Sequence, residues 1–331
     1  MSEESEKLGH VLCVDDEPGI LRSLQWLLKK DFDVKTATSG PEALEMLRHH
    51  DFDVIVSDQR MPGMMGSQFL HEARKVSPRS MRILLTGYSD LQAILHSVND
   101  GEVFRFVNKP WNIKELPKII SDAASIAKIH LGEATSPETG GGDEGDEIDT
   151  GDEAILLIDD DPLMDQQILD AVGAAVKIVH ATTLAEAVVA VEEKNIGIIL
   201  SDTKVAKLDT TTMLKVIKQD HPDIVTVVYS DTTDAIDVIN LINQGQIFRF
   251  IPKPVKTVML KQALMRAAVK RRELRGSPAA AKRHVVESVT EVAKADMYKT
   301  IHRSIANVAP AANAPMLYRI TSLFKQLFGR A

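Results

Sequence analysis

Short apolar runs alternate along this chain with longer segments in which apolar residues recur every three or four positions. In the first third, the apolar runs predict strands at 10–14, 33–37, 53–57, 81–85 and 103–107. Between them, the helical spacing predicts helices at 17–30, 40–49, 64–76, 90–99 and 112–130. Apolar runs without polar alternation are typical of parallel strands covered on both faces. The pattern therefore predicts an α/β fold with a doubly wound, five-stranded parallel sheet.

The same pattern occurs twice in the chain. The matching stretches are HVLCVDDEP (10–18) with AILLIDDDP (154–162), DVIVSD (53–58) with GIILSD (197–202), and GEVFRFVNKP (101–110) with GQIFRFIPKP (245–254). Each pair is offset by the same spacing along the sequence, so the chain contains an internal duplication. The duplication predicts two equivalent domains, one at 8–131 and one at 153–275.

The remaining stretches have different compositions. Residues 1–7 are polar and acidic and are predicted to be disordered. Residues 132–152 hold eight acidic residues and no basic one and are rich in glycine, which cannot build a core and predicts a flexible tether. Residues 276–331 form a short C-terminal segment in which 284–308 and 315–329 show amphipathic helical spacing.

The charge distribution, the single cysteine and the N-terminal sequence bear on the cellular location of the protein. The net charge of −8 hides an asymmetry: residues 256–331 carry 15 Lys and Arg against 4 Asp and Glu. The run from Lys270 to Arg272, with Arg275, is interpreted as a solvated helix end. The single cysteine, Cys13, lies in an apolar run and is interpreted as a core residue. The N-terminus has no signal-peptide character and no run of 18 apolar residues occurs, so we expect a cytoplasmic protein.

Polar side chains follow four predicted strands of the first copy, at the point where each strand ends. They are Asp15 and Asp16, Asp58, Thr86, and Lys109. The carboxyl ends of parallel strands lie along one edge of a sheet, so these side chains should converge. Three carboxylates would repel one another without a cation, and hard oxygen ligands with room for water suit Mg²⁺.

This set of groups has the chemistry of phosphoryl transfer. A carboxylate can act as the nucleophile and form an acyl phosphate, and Asp58 is the candidate because it stands alone in the middle of the sheet. Mg²⁺ and Lys109 would neutralise charge on the phosphoryl oxygens, and Thr86 would hydrogen-bond one of them.

The first copy resembles the receiver domain of bacterial two-component response regulators, which have a flavodoxin-like fold. The matching residues are DDE at 15–17, Asp58 followed by MPG, Thr86-Gly87 and Lys109-Pro110. The resemblance implies that Asp58 accepts a phosphoryl group from a histidine kinase or a phosphotransfer protein, with Mg²⁺ held by Asp15, Asp16 and Asp58. It also implies that Thr86 and Lys109 sense the phosphoryl group, that Phe106 is the switch aromatic, and that the Lys109-Pro110 peptide is cis. Such a receiver catalyses its own phosphorylation and slow dephosphorylation and is not a metabolic enzyme.

The second copy keeps most of this pattern. By the resemblance, Asp159 and Asp160 match the acid pair, Asp202 the phosphoacceptor, Ser230 and Lys253 the sensing pair, and Phe250 the switch aromatic. Two departures stand out: Val205-Ala206-Lys207 replaces MPG, and Asp231 replaces the glycine after the hydroxyl residue. Phosphorylation of Asp202 and a silent docking domain are therefore both open. Strand alternation predicts that Phe104 and Phe106 share a face, and Phe104 and Phe248 are interpreted as core residues.

The sequence favours one function for the whole chain and leaves three alternatives open. We expect a tandem-receiver phosphorylation switch whose output is protein–protein contact or self-association, through the second receiver, the C-terminal helices or another protein. The alternatives are a DNA-binding transcription regulator using the basic C-terminal region, membrane association through 315–329, and a metal-dependent aspartyl phosphatase. The phosphatase chemistry commonly uses a second acid two residues after the nucleophile, where this chain has Arg60. For the acid and lysine cluster alone, a purely structural ion-pair network is the competing interpretation.

Overall fold

The computed structural model describes residues 7–87, 103–129, 148–173, 176–231, 239, 241–243, 247–276 and 289–308. The chain forms two compact units, each built around one five-stranded parallel sheet. Within the described ranges, no helix is both long enough and apolar enough to span a bilayer. The predicted helix at 90–99 and the predicted helix at 315–329 lie outside the described residues.

The first unit follows the predicted alternation closely. Its elements are β1 (His10–Val14), α1 (Pro18–Leu28), β2 (Asp33–Ala37), α2 (Gly40–His49), β3 (Val54–Asp58), α3 (Gly66–Val76), β4 (Met81–Thr86), β5 (Arg105–Asn108) and α4 (Glu115–Ile129). The strand order in the sheet is β2-β1-β3-β4-β5 and all neighbours are parallel. This is the doubly wound topology that the sequence predicts.

The second unit repeats this arrangement with one addition. Its elements are β6 (Ala154–Ile158), α5 (Leu163–Val172), β7 (Ile178–Ala181), α6 (Leu184–Glu193), β8 (Ile196–Asp202), β9 (Lys204–Val205), β10 (Leu208–Asp209), α7 (Thr211–Asp220), β11 (Val225–Ser230), β12 (Arg249–Pro252), α8 (Thr257–Gly276) and α9 (Glu291–Val308). The sheet order is β7-β6-β8-β11-β12, and β9 and β10 form a small antiparallel hairpin of their own.

The central strands are buried on both faces, which explains their uninterrupted apolar sequence. In the first unit, Val11, Leu12, Cys13 and Val14 have no exposed surface, and the core cluster extends from them to α1 and α4. Burial, together with the nearby Asp15 carboxylate, raises the pKa of Cys13 to about 12, so its thiol stays protonated. The interpretation of Cys13 as a core residue is confirmed.

The second helix of each unit begins with the same capping arrangement. The Ser39 hydroxyl accepts a hydrogen bond from the Glu42 amide at 3.4 Å, and the Glu42 carboxylate accepts one from the Thr38 amide at 2.7 Å. In the second unit, Thr183 accepts from the Glu186 amide at 3.2 Å. Such caps satisfy backbone donors that have no partner inside the helix.

Both X-Pro bonds after the sheet-edge lysines are cis, at Lys109-Pro110 and at Lys253-Pro254. The first of these confirms the expectation drawn from the family resemblance.

The packed regions extend slightly beyond the predicted boundaries. Lys7, placed in the disordered N-terminus, donates hydrogen bonds to the carbonyl oxygens of Lys29 and Lys30 at 2.6 and 2.9 Å. Ile148, placed in the tether at 132–152, is buried in the second core. Most of the tether, residues 132–147, lies outside the described residues, as do residues 1–6.

The C-terminal helix α9 packs against the second unit. Met297 and Ile301 are buried, and α9 contacts α6 and α7. Just before it, the Val289 amide donates a hydrogen bond to the Gln219 side chain at 3.3 Å. The apolar spacing in 284–308 therefore covers a face of this unit.

Candidate functional site

The carboxyl edge of the first sheet brings two carboxylates onto one lysine. The Lys109 ammonium lies 2.8 Å from the Oδ2 atom of Asp15 and 2.7 Å from the Oδ1 atom of Asp58. Both carboxylates are almost fully buried, and the lysine side chain is 24% exposed. The convergence predicted from the strand ends is therefore present for these three residues.

Strand register is what brings them together. Asp58 ends β3 and pairs in register with Leu85 of β4, and Thr86, the next residue, pairs with Asn108 of β5. Lys109 follows at once, and its amide donates to the Thr86 carbonyl at 2.9 Å. The Thr86 side chain is buried at the same edge, where its hydroxyl donates to the Gly87 carbonyl at 3.3 Å.

The loop after Asp58 holds the phosphoacceptor candidate in place. The second carboxylate oxygen of Asp58 accepts a hydrogen bond from the Arg60 amide at 2.8 Å. A Cβ atom on Gly66 would overlap the Asp58 carbonyl oxygen, so glycine is needed where α3 starts. The buried Gln59 side chain accepts from the Ser67 amide at 3.0 Å and so caps α3. This close backbone packing fixes the orientation of Asp58.

The electrostatics of Lys109 follow from its two partners. Burial alone would lower its pKa, but the hydrogen bonds and charges of Asp15 and Asp58 outweigh burial and hold the pKa above its usual value. Lys109 is therefore a cation at any physiological pH.

The carboxyl edge of the second sheet keeps one lysine–carboxylate pair of the first and replaces the other with a tyrosine hydrogen bond. Lys253 lies 2.6 Å from the Oδ2 atom of Asp202, as Lys109 lies beside Asp58. Asp159, however, is bonded by another group, because the hydroxyl of Tyr229 donates to its Oδ2 atom. The Asp159 carboxylate is buried, and its Oδ1 atom accepts from the Asp161 amide at 2.8 Å.

The Ser230 hydroxyl of the second unit has a side-chain partner at the end of the neighbouring strand. Ser230 and Thr203 share a hydrogen bond of 2.8 Å, and Thr203 donates to the Oδ1 atom of Asp202 at 3.2 Å. The β9–β10 hairpin stands where the first unit has its Met-Pro-Gly turn. Its turn residues Ala206 and Lys207 have φ angles of 48° and 66°, a conformation that glycine or asparagine adopts more easily.

The pKa values in the second unit reflect its burial. Desolvation raises the pKa of Asp159, although the Tyr229 hydrogen bond acts in the opposite direction. Desolvation and the Asp159 carboxylate both raise the pKa of the Tyr229 phenol, which therefore stays a hydrogen-bond donor. For Lys253, burial lowers the pKa, but the Asp202 carboxylate outweighs it and the net shift is upward.

The aromatic residues near the two lysines lie in the interior. Phe104 is buried in the core cluster together with Val107, and Phe248 packs against the second core, as predicted. Phe106 is equally buried but outside the Phe104 cluster. The prediction that Phe104 and Phe106 share a face is wrong, because Phe104 precedes β5 and strand alternation does not extend to it. Phe250 is 1% exposed, and the switch role of both aromatics stays a prediction.

The donor set in the first unit fits a magnesium ion. One ammonium nitrogen reaches both Asp15 and Asp58, so a single small cation can also contact both carboxylates. Mg²⁺ is commonly held by one or two carboxylates and several waters. Over the described ranges, no group of three histidine, cysteine or carboxylate side chains is gathered as a metal site. Asp16 is half-buried and Asp160 is exposed, and their role as ligands stays a prediction.

The basic end of α8 differs from its prediction. Arg271 is 8% exposed and binds both oxygens of Glu153 at 2.7 to 3.2 Å, and its Nη1 atom lies 2.6 Å from Asp223. Arg272 pairs with Asp149 at 3.0 Å. The interpretation of this run as a solvated helix end is therefore wrong for Arg271. Its guanidinium is buried, and the Glu153 carboxylate just before β6 pairs with its charge.

Four positions at or near these sites were not predicted: Gln59, Thr203, Tyr229 and Glu153. A position-by-position comparison of the two copies would have exposed Tyr229, since the equivalent residue in the first copy is Leu85. Gln59 and Thr203 are likewise equivalent to each other and differ in chemistry. Nothing in the local sequence indicates the Glu153 pairing, which spans more than a hundred residues.

Comparison with known proteins finds the same family in both copies of the duplication. The family model described as the response regulator receiver domain matches residues 11–121 and 155–265. The hydrogenase transcriptional regulatory protein HoxA of Cupriavidus necator is 39% identical over 107 residues, which is 32% of this chain and 22% of HoxA. The transcriptional regulatory protein GlrR of Escherichia coli is 38% identical over 120 residues, which is 36% of this chain and 27% of GlrR.

Solved structures include single domains of similar sequence. A response regulator receiver domain protein from Clostridium thermocellum is 32% identical and covers 36% of this chain and 97% of its own, with a TM-score of 0.34. The matched stretch spans about a quarter of the curated relatives HoxA and GlrR. The similarity therefore concerns the receiver portion of those proteins.

Proposed function

Because this chain belongs to the response regulator receiver family, with two receiver domains, we propose that it is a two-component phosphorylation switch whose primary phosphoacceptor is Asp58. The observation that carries the proposal is the Lys109 ammonium, held 2.8 Å from Asp15 and 2.7 Å from Asp58 at the sheet edge beside Thr86. A purely structural ion-pair network would not require a hydroxyl and a nucleophile on the next strands of the same edge.

The chemistry is a transfer between two nucleophiles. A carboxylate oxygen of Asp58 forms a bond to phosphorus while the P–N bond of a phosphohistidine on the kinase or phosphotransfer protein breaks, and the imidazole leaves with the electron pair. Lys109 is already a cation within hydrogen-bond distance of Asp58 and would neutralise a phosphoryl oxygen. Mg²⁺ bound by Asp15 and Asp58 would supply further charge neutralisation at the phosphoryl oxygens.

The consequence of phosphorylation is a change in local charge. The phosphoryl group carries about −1.5 to −2 charges and replaces the single negative charge of the Asp58 carboxylate, beside Asp15 and the Lys109 ammonium. Lys109 would then leave Asp15 for the phosphoryl group, and the Thr86 hydroxyl would turn from the Gly87 carbonyl towards it. In this proposal the receiver catalyses only its own phosphorylation and dephosphorylation, in the cytoplasm, and is not a metabolic enzyme.

For the output, we favour protein–protein contact. The helix α9 buries Met297 and Ile301 against the second unit, so the described part of the C-terminal segment acts as a packed element. Part of the positive charge after residue 256 is also compensated locally, because Arg271 and Arg272 pair with acidic residues of the same unit. Both observations fit a docking role better than a free basic surface.

DNA binding is the second candidate output. The relatives HoxA and GlrR are described as transcriptional regulatory proteins, and the region from 256 onwards carries 15 basic against 4 acidic residues. A protein that binds DNA through that region would lose affinity steeply as salt concentration rises. Measuring affinity for duplex DNA between low and physiological salt separates the two outputs.

The central test is loading with beryllofluoride and Mg²⁺, followed by ¹⁹F NMR, on the wild type, Asp58→Ala and Asp202→Ala. We expect the wild type to show a bound fluoride signal that Asp58→Ala removes or reduces and Asp202→Ala leaves in place. If Asp58→Ala keeps the full wild-type signal, Asp58 is not the primary phosphoacceptor.

A further inference from the structure

The two sites differ at one buried position that contacts the acidic cluster. Leu85 and Tyr229 are equivalent in the duplication, both have no exposed surface, and each pairs in register with the phosphoacceptor candidate of its own sheet. Leu85 offers no polar group. The hydroxyl of Tyr229 donates a hydrogen bond to the Oδ2 atom of Asp159.

The same carboxylate atom has a very different partner in the first unit. There the Oδ2 atom of Asp15 accepts from Lys109, whose side chain is 24% exposed and also bonds Asp58. Lys109 can release Asp15 and keep a partner. Tyr229 has no such freedom, because its ring is buried in the second core cluster and sits on a central strand.

We propose that Tyr229 sets a lower affinity for divalent cations at the second site than at the first, so that loading of Asp202 requires more Mg²⁺ than loading of Asp58. This inference rests on the proposed function. A cation that binds Asp159 competes with the phenol for Oδ2, since Oδ1 already accepts from the Asp161 amide at 2.8 Å. Displacement leaves a buried hydroxyl without its partner, which is costly.

The rest of the second site fits this arrangement. Lys253 lies 2.6 Å from the Oδ2 atom of Asp202, while the Tyr229 hydroxyl bonds the Oδ2 atom of Asp159. Its ammonium sits 5.3 Å from the centre of the Tyr229 ring, a favourable position for a cation. Thr203 joins Ser230 to Asp202 through hydrogen bonds of 2.8 and 3.2 Å. The phosphoacceptor candidate is thus surrounded by the chain's own donors.

The duplication provides matched variants for the test. In the full-length protein, Tyr229→Phe removes only the hydroxyl, Tyr229→Leu installs the first unit's residue, and Leu85→Tyr makes the reverse exchange. The second-site variants are made in an Asp58→Ala background and Leu85→Tyr in an Asp202→Ala background, so that each measurement reports one phosphoacceptor site. Mn²⁺ binding by electron paramagnetic resonance gives cation affinity directly, and ¹⁹F NMR gives the Mg²⁺ concentration for half-maximal beryllofluoride loading.

We expect Tyr229→Phe and Tyr229→Leu to raise cation affinity at the second site by about tenfold, the lower end of what releasing a hydrogen bond to a charged carboxylate gives. Leu85→Tyr should lower it at the first site in the same way. Unchanged cation affinity in folded Tyr229→Phe would overturn the inference while leaving the proposed function intact. Absence of beryllofluoride loading at Asp58 in the wild type would instead count against the proposed function.

Discussion

Removing the ammonium of Lys109 is the most direct test of the first site. In Lys109→Met the side chain keeps its length, but the carboxylates of Asp15 and Asp58 lose the cation that lies 2.8 and 2.7 Å from them. Both carboxylates are nearly buried, so water cannot replace the lysine fully. We expect a loss of about 3 kcal/mol in the free energy of unfolding, the lower end for breaking a buried ion pair, since the lysine is partly exposed.

Added Mg²⁺ should recover part of that loss. A divalent cation bound between the same two carboxylates stabilises only the folded state, so the stability gained from Mg²⁺ should be larger in Lys109→Met than in the wild type. The difference between the two proteins should therefore be largest in a Mg²⁺-free buffer that contains a chelator.

The assay can be confined to the first unit. The chain has two tryptophans, Trp26 and Trp111, and both belong to the first unit. Urea unfolding followed by tryptophan fluorescence therefore reports that unit, which avoids treating a two-domain protein as one transition. Lys75→Met is the matched control. It breaks an exposed pair with Glu72 and should cost less than about 1 kcal/mol.

The pH dependence follows from the raised pKa of Lys109. A lysine whose pKa is raised on folding contributes its full stabilisation below its unfolded pKa, about 10.4, and loses it as pH rises through the folded value. The difference between wild type and Lys109→Met should therefore be constant from pH 6 to pH 9 and shrink only above about pH 10.4. A loss under about 1 kcal/mol in Mg²⁺-free buffer, or no extra gain from Mg²⁺, would refute this account of the site.

Three further outcomes are expected. Gly66→Ala should destabilise the first unit by more than about 2 kcal/mol and impair beryllofluoride loading, because the added Cβ overlaps the Asp58 carbonyl. Gly63→Ala has open space around the added Cβ but a φ of 77°, so it should cost only about 1 kcal/mol. Urea unfolding followed by tryptophan fluorescence measures both losses. Arg271→Met should cost about 3 kcal/mol by removing the buried guanidinium that pairs with Glu153 and Asp223, measured by hydrogen exchange in the second sheet. Lys207→Gly should stabilise the second unit by about 0.5 kcal/mol by relieving a φ of 66°, seen as slower exchange in the β9–β10 hairpin.

The sheet edge of the first unit could be predicted because topology alone determines it. Once five apolar runs are recognised as parallel strands, the residues that follow them must lie along one edge, and Asp15, Asp58 and Lys109 do so. The prediction needed no side-chain geometry. The same reasoning does not extend to Asp16, because successive residues after a strand point in different directions and no topological rule fixes the second one.

The details that escaped prediction depend on single side chains or on long-range pairing. Tyr229 lies in an apolar strand, where a tyrosine is typical of the core, and only the three-dimensional register brings its hydroxyl to Asp159. Arg271 has the sequence context of an exposed helix end, and its burial depends on Glu153, which precedes β6. Phe104 and Phe106 were assigned to one face because the apolar pattern starts the strand at 103, two residues before β5 begins at Arg105.

The amino ends of the central strands differ between the two copies in the placement of one carboxylate and one glycine. In the first unit Gly9 faces Asp53, and in the second the order is reversed, with Glu153 facing Gly197. A Cβ on Gly9 would lie 2.7 Å from an Asp53 oxygen, and one on Gly197 would overlap the Glu153 carboxylate. At each edge a carboxylate therefore packs into the space that the glycine leaves open.

The two carboxylates nevertheless serve different partners. Asp53 accepts a hydrogen bond from the His10 amide at 2.8 Å and so stays within its own sheet. Glu153 binds Arg271 near the end of α8. Arg275, one turn further, lies 3.4 Å from the same carboxylate. The Glu153 carboxylate thus anchors the last described turns of α8 to the second sheet.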